Sequence, residues 1–591
     1  MNPFYTRELA LSTILQNEKV YAIDCETYWA KGYDMSNGVD AYVNDPQFQM
    51  TVFSFFNEEE KYSGDPIFAP VSKLHGAIIF AHNAQFDQAC VERAIELQQI
   101  PYFKPKQWIC TMHMAKFFGY PGALDKVANH LLGQEISKVK REESKGWTKE
   151  QCLADKGFIQ YCQDDSSTAY WIGTNLSIRY PAFEERVSRL TRKFAKNGIG
   201  YSPANSKLGQ EVLQIELDKL CHKMPWDGPS LSLKEFGKWC AENGVEKPET
   251  TNAKDARHRE WASRNPEGAV VTSRMSLIRK LRKMIATLKS LDLRIRPDGR
   301  ISTPLNYWGA HTGRFSGTQG VNFQGLAKKE LMGVNVMGFF IPAKDHVFIQ
   351  FDFANIEPRI LLCMVGDDET LELIRSGQDI YEAHARMSGL YSGEEALSTA
   401  DPELRQVCKA RVLGLGYGCG AKAFKDVASN LTGGKLNLTD AQAQQVVRDY
   451  RKQNPKIVEY WNRLETKARE CTGYRRFELP SGRDLRFNVI EQDPLTVEYV
   501  RGKQKERTWG SKLCENMIQA IARDVLADAL VHLDEMGMKV LLHVHDSVVI
   551  EVHRDDAQDA MARIKEGMTR SPNWLPNLPL EIDIRRNANG L

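Results

Sequence analysis

Asp24 and Glu26 stand two residues apart in the stretch VYAIDCETYW. On a strand that spacing puts both side chains on one face, where two carboxylates repel each other unless a cation lies between them. Two further pairs follow at a spacing of four: Asn83 with Asp87 in AHNAQFDQAC, and Tyr161 with Asp165 in YCQDDSSTAYW. In a helix each of these pairs shares a face. Asp24, Glu26, Asp87 and Asp165 are then four hard oxygen donors, which suit Mg²⁺ or Mn²⁺ better than zinc. Two such ions close together can activate a water and stabilise the leaving oxygen of a phosphodiester, with the Tyr161 phenol placed to orient that water. A lone D-x-E pair more often marks a surface strand than a metal site; the ordered set of three pairs carries the inference.

A second set lies in the C-terminal half. VFIQFDFANIEPRILL begins as an apolar strand and turns helical near Ile356, which puts Asp352 at the end of a buried strand. A helix cap is the plainer role for such an aspartate, and Pro358 suits a first helical turn, where its missing N–H costs little. HVHDSVVIEV has the pattern of a hairpin with His545, Asp546 and Ser547 at a tight turn, and aspartate is a common turn residue. The functional reading, beside these plainer ones, pairs Asp352 with Asp546 as a second two-carboxylate metal site. Between them, Arg405, Lys409, Leu413 and Tyr417 step by four in RQVCKARVLGLGYGCG and are expected on one helix face. Two cations a turn apart can grip a triphosphate, and the apolar and aromatic groups beyond can pack on a base. Glycines at 414, 416, 418 and 420 weaken the helix end by about 1 kcal/mol each relative to alanine, which suits a closing lid. No strand precedes these glycines and the lysine comes before them, so neither a dinucleotide-binding loop nor a P-loop is indicated.

The elements that must position these groups divide an α/β chain of 591 residues, a length that calls for two to four domains. From about Val20 to Arg179 short apolar strands mix with helices. The polar run Ser137–Glu150 reads as a solvated loop or helix face. A helix-rich segment follows from Phe183 to Leu291, with an apolar-poor, exposed connection over ENGVEKPETTNAKDARHREW. It closes on SRMSLIRKLRKMIATLKSLDLRIR, amphipathic and basic. A solvated face is the better bet for such a run alone; a grip on a phosphate backbone is the functional alternative. Beyond Ile301 strands and helices alternate around a helical insert from about Thr370 to Arg469. The net charge of +2 excludes a highly charged disordered chain and leaves nucleic-acid binding to local patches. Twelve cysteines without a C-x-x-C pair argue against zinc ribbons and disulfides, and for a reducing, cytoplasmic setting. No run is long enough to span a bilayer and the N-terminus lacks a signal core, so no membrane role is expected.

In order and type these motifs resemble two modules of one enzyme family. Asp24, Glu26, Asp87, Tyr161 and Asp165, with Asn83 in support, resemble the 3′–5′ proofreading exonuclease of the tyrosine-bearing DEDD class. Asp352 with Glu357, then Arg405 to Gly418, then His545–Asp546 resemble motifs A, B and C of family A DNA polymerases. HTGRFSGTQGVNFQGLAK, with Arg314, Asn322 and Gln324, is similar to the family's template–primer segment, and ENMIQAIARDVLADAL to the helix before motif C, with Gln519 at the minor-groove position. The resemblance implies a ribonuclease H-like exonuclease (1–190), a helical thumb (191–300), a palm in two parts (301–369 and 495–591) with an antiparallel sheet, and fingers (370–494). It also implies two Mg²⁺ at each centre, with Mn²⁺ able to substitute. In the polymerase these are held by Asp352, Asp546 and the Phe353 carbonyl, so that one ion activates the primer 3′-hydroxyl and the other stabilises pyrophosphate. Glu357 would exclude a ribose 2′-hydroxyl, Arg405 and Lys409 bind the triphosphate, and Tyr417 pack near the nascent pair. Arg314, Gln519 and His545 would touch the minor groove, whose acceptors are similar for every correct pair.

Three departures from the family pattern stand out. Leu413 replaces an aromatic residue beside the incoming sugar, Ser547 replaces the motif C glutamate, and Pro358 replaces an apolar helical residue. The exonuclease pattern begins near residue 20, with no preceding 5′-nuclease, so a phage or small-replicon replicase is expected rather than a bacterial repair enzyme. Its partners would be primer–template DNA and dNTPs, with helicase, primase and single-strand binding protein in a replisome, and its state a monomer in the host-cell cytoplasm if phage-encoded. An exonuclease with a decayed polymerase module, or a non-catalytic DNA-binding scaffold, are the competing readings; the intact carboxylates and cations weigh against both.

Overall fold

In the computed structural model, which describes residues 10–253, 255–318, 322–326, 330–432, 436, 438–499 and 505–587, the N-terminal unit is built on a five-stranded mixed sheet. Its order is Lys61–Gly64, Met50–Phe56, Val20–Thr27, Ile78–Ala81 and Gln107–Cys110. The central strand Val20–Thr27 runs antiparallel to Met50–Phe56 and parallel to Ile78–Ala81. Its alternation divides its faces. Tyr21, Ile23 and Cys25 enter one core, while Ala22 joins Phe80, Ala169 and Ile172 in another. Asp24 and Glu26 share the Ala22 face, the one covered by the long helix Lys156–Ser177. That helix lies tight on the sheet at Gly173, where a Cβ would come within 2.3 Å of the Phe80 ring.

Helices Pro203–His222 and Pro266–Asp292 pack against each other in the next segment. The basic amphipathic run turns Met275, Ile278, Leu281 and Leu288 into a core with Leu213 and Phe236, leaving Arg279, Lys280, Arg282, Lys283 and Lys289 exposed. The connection expected to be exposed, from Glu242 to Trp261, is partly built: it holds the start of a helix, Ala256–Arg264. Trp261 anchors it, 6% exposed, with its indole N–H donating to the Glu246 carbonyl at 2.6 Å.

The C-terminal half centres on a four-stranded antiparallel sheet in the order Lys539–Val544, Ser547–His553, His346–Phe353, Ile582–Asn587. Helix Gly510–Glu535 backs it, and a set of helices from Asp368–Arg375 to Pro455–Arg469 projects from it. A second antiparallel sheet spans Gly473–Glu478, Asp484–Gln492, Leu495–Tyr499 and Lys505–Arg507. The fingers–palm boundary expected between 494 and 495 falls in a turn of this sheet, so its two sides form one unit. Among the described residues, no helix is long and apolar enough to cross a membrane.

The two halves are joined by a buried ionic cluster. Arg523 on Gly510–Glu535 donates to both carboxylate oxygens of Glu184 on helix Ala182–Asn197, at 2.5 and 2.8 Å, and stacks over Tyr307 and Trp308. Asp524 next to it receives the Arg483 guanidinium at 2.8 Å. Burial pushes the Glu184 carboxyl up, but Arg523, Tyr307 and Arg483 together outweigh it and hold the group below its usual range. A buried charge stripped of its partner is strongly destabilising, so this cluster fixes how the N-terminal unit meets the sheet carrying Asp352.

Candidate active sites

Strand Val20–Thr27 and helix Lys156–Ser177 bring carboxylate oxygens of Asp24, Glu26 and Asp165 within 4.8 Å of one another. Asp87, on the first turn of helix Ala84–Glu96, lies outside that triad but adds its negative charge to it. Asn83 is the residue that begins this helix, its carbonyl accepting from the Asp87 N–H at 3.3 Å. Tyr161, one turn before Asp165, is buried against the cluster. Asp24 Oδ2 and Asp165 Oδ1 are buried with no hydrogen-bond donor among the described residues. Orphaned carboxylate oxygens facing one another are costly unless a cation holds them, and hard oxygen donors fit a divalent ion.

Burial pushes Asp24 well above the carboxylate range, and its neighbours push it further. Burial likewise lifts Glu26 to about 8, Asp87 to about 7 and Asp165 to about 6. Arg141 opposes the rise at Glu26 and, with Lys138, at Asp165. These two cations come from the run Ser137–Glu150, expected only to be solvated. Each carboxyl holds its proton more tightly folded than unfolded. Their contribution to metal-free stability is therefore fully present below about pH 4 and lost as pH rises through the folded values of 6 to 8. The Tm gained on adding Mg²⁺ is expected to be larger at about pH 8 than at about pH 5.5. Calorimetry on wild type and Asp24→Asn/Asp165→Asn checks this; the double variant should lose most of the pH-dependent gain.

In the C-terminal half, Asp352 is the penultimate residue of strand His346–Phe353. It is not a helix cap: the residue beginning helix Ile356–Val365 is Asn355, in the left-handed region at φ 51°, and Pro358 falls in the first turn as expected. His545 and Asp546 form the two-residue turn between Lys539–Val544 and Ser547–His553, with His545 also left-handed at φ 56°. The Phe353 N–H donates to the Asp546 carbonyl at 3.4 Å, tying strand end to turn. Both aspartates line one cleft of about 700 Å³ with Arg314, Phe353, Glu357, Leu413, Tyr417 and His545. Arg314 is ion-paired with Glu357. The Tyr417 hydroxyl is buried with no hydrogen-bond partner among the described residues, and burial, with Glu357 nearby, pushes its pKa up.

The four-residue stripe does not stay on one helix face. Helix Pro402–Ala410 gives way to a π turn at Arg411–Leu415; such bulges recur at functional sites. Leu413, within this turn, and Tyr417, beyond it, both line the cleft. Arg405 and Lys409 stay outside its lining: Arg405 pairs with Asp379 at 2.7 Å, and both cations lie over the Tyr381 ring, at 5.2 and 5.8 Å. Gly418 is a packing point rather than a slack hinge. Its φ is +76°, and a Cβ there would meet Ser511 Oγ at 2.1 Å. Gln519 donates to Glu515 at 3.1 Å; Glu515 lines the cleft and Gln519 does not. Asn322 is exposed beside Gly317, and Gln324 lies in the short turn Phe323–Gly325, its side chain outside the described residues. Sequence reasoning missed Glu515, Asp583 and Arg141. Glu515 was within reach, one helical turn before Gln519.

The family model for DNA polymerase family A matches residues 257–589, more than half of the chain. The chain belongs to DNA polymerase family A. The DNA polymerase of Bacillus phage SP02 is 26% identical to it, covering 96% of this chain and 98% of that one. The thermostable DNA polymerase I of Thermus filiformis is 28% identical over 52% of this chain and 34% of its own length. Among solved structures, the POL domain of Pol1 from M. smegmatis, complexed with DNA primer-template and dNTP, superposes with a TM-score of 0.71. It covers 98% of this polymerase and 97% of that chain at 18% identity, a likeness of fold. Family A polymerases use divalent metal ions, and the donor chemistry of both carboxylate centres fits such ions.

Proposed function

We propose that this family A polymerase couples template-directed DNA synthesis from dNTPs to 3′–5′ proofreading at a second centre in the same chain. The observation that carries the proofreading half is the Asp24–Glu26–Asp165 triad, with its two orphaned oxygens. A divalent ion bound at either centre supplies the Lewis acidity that activates the attacking oxygen and steadies the leaving one; two Mg²⁺ per centre, replaceable by Mn²⁺, is the stoichiometry inferred.

In the polymerase cleft, Asp352, Asp546 and the Phe353 carbonyl are the metal-holding groups, and Glu357 blocks a ribose 2′-hydroxyl. Arg314 is released from Glu357 to follow the primer–template minor groove, along with Gln519 and His545, while Asn322 and Gln324 contact the primer–template DNA. Arg405 and Lys409 leave Tyr381 to grip the triphosphate as the projecting helices close, and Tyr417 packs beside the nascent pair. At the other centre Asp24, Glu26, Asp87 and Asp165 hold metal, Asn83 supports Asp87, and the Tyr161 hydroxyl orients water. The working units are an exonuclease (1–190), a thumb (191–300) whose exposed lysines and arginines face the duplex, fingers (from 370) and a two-part palm. The setting is phage-type replication by a monomer in the host cytoplasm, alongside helicase, primase and single-strand binding protein.

A labelled primer–template tests both halves. With Mg²⁺ and dNTPs the primer should lengthen along the template, without dNTPs it should shorten from its 3′ end, and EDTA should stop both. Failure of the primer to shorten would refute the proofreading half. Leu413 gives a further test. A phenol at that position brings a hydroxyl to the edge of the incoming sugar, so Leu413→Tyr is expected to raise dideoxynucleotide incorporation relative to dNTP by about 10-fold. Equal termination ratios in the two proteins would refute the placement.

A further inference from the structure

Strand His346–Phe353 carries Asp352 between two neighbours, with Ser547 opposite it on one side and Asp583 on the other. Directly opposed residues on antiparallel strands project to the same face, with Cβ atoms about 4.5–5.5 Å apart. The Ser547 hydroxyl is engaged sideways, accepting from Gln350 Nε2 at 3.1 Å. Asp583 instead is exposed and lines the cleft together with Asp352 and Asp546. None of the ion pairs within 4.0 Å among the described residues involves Asp546 or Asp583. Like charges directly opposite on a sheet are destabilising, and aspartate facing aspartate in a cleft that Asp546 also lines is an arrangement made for a cation.

We propose that Asp583 is a third carboxylate facing the divalent cations of the polymerase centre, supplied from strand Ile582–Asn587 where the turn offers only Ser547. The assignment rests on the polymerase reading above. It assigns the charge at this centre to three strands: Asp352 in the middle, Asp546 at the turn beyond one flank and Asp583 on the other flank. Ser547 and Asp583 face Asp352 from opposite sides, so a carboxylate at either position adds the same charge to the donor set.

The test is Mn²⁺ binding, followed by electron paramagnetic resonance on the full chain carrying Asp24→Asn and Asp165→Asn to silence the other centre. In that parent, Asp583→Asn is expected to weaken Mn²⁺ binding by about 10-fold or more. Asp583→Glu should keep the affinity, and adding Ser547→Asp to Asp583→Asn should recover it. Because Asp583→Asn removes a like charge, the metal-free protein should unfold at the same temperature as the parent or higher. Unchanged Mn²⁺ affinity would overturn the assignment, and so would an affinity loss accompanied by a lowered metal-free Tm, which marks a structural residue. No Mn²⁺ at the polymerase centre of the parent would overturn the metal reading itself, and Asp583 with it.

Discussion

Asp546→Ala is expected to lower primer extension by about 10³-fold or more, the loss of several kcal/mol of transition-state stabilisation, while shortening of the 3′ end continues. The geometry gives this residue no substitute. It occupies a two-residue turn whose carbonyl receives the Phe353 N–H at 3.4 Å, so its carboxylate is held at the end of the strand that carries Asp352. Only the side chain changes in the variant; the turn keeps its left-handed residue at His545 and its flanking register. A folded protein that has lost extension alone is therefore expected, and an unchanged far-UV and thermal profile should accompany it. Asp352→Ala should match it. Extension that persists in Asp546→Ala would remove the turn from the metal site.

Asp24→Ala should do the reverse. It takes out one of three carboxylates whose oxygens lie within 4.8 Å, and a loss of about 10³-fold or more in 3′-end shortening is expected from the same loss of charge stabilisation. Extension should survive, because the polymerase cleft is lined by none of these residues. The substitution also relieves repulsion in the metal-free state, since the neighbouring carboxylates push Asp24 and Glu26 up together. Asp24→Ala protein without metal should accordingly be at least as stable as wild type above about pH 7. A large loss of stability would mean that Asp24 serves the fold.

Both centres were legible because their residues are set by local spacing. D-x-E on a strand and i,i+4 pairs on helices fix a shared face whatever the tertiary fold. Asp87 shows the limit: its helix face was right, but its distance from the triad depends on how the helix docks on the sheet. The Arg405–Tyr417 stripe failed where a π turn added a residue, which a uniform spacing of four conceals. The sheet from Gly473 to Arg507 went unseen for another reason. Its buried Phe477, Leu485, Phe487, Val489 and Val497 lie beyond the helical insert, where strands and helices are expected to alternate, and the boundary expected between 494 and 495 divides them. Asp583 could not be found at all, because its neighbour across the sheet is set by register between strands more than two hundred residues apart in sequence. The Arg523–Glu184 pair, 339 residues apart, was invisible for the same reason, and it governs how the two halves meet.

The most direct measurement follows extension and 3′-end shortening on one labelled primer–template, with a matched and a mismatched end, in wild type, Asp24→Ala and Asp546→Ala. Two separate metal centres in one chain predict that shortening is lost only in Asp24→Ala and extension only in Asp546→Ala, with the mismatched end extended without correction in Asp24→Ala. Both activities falling together in either variant would contradict that division.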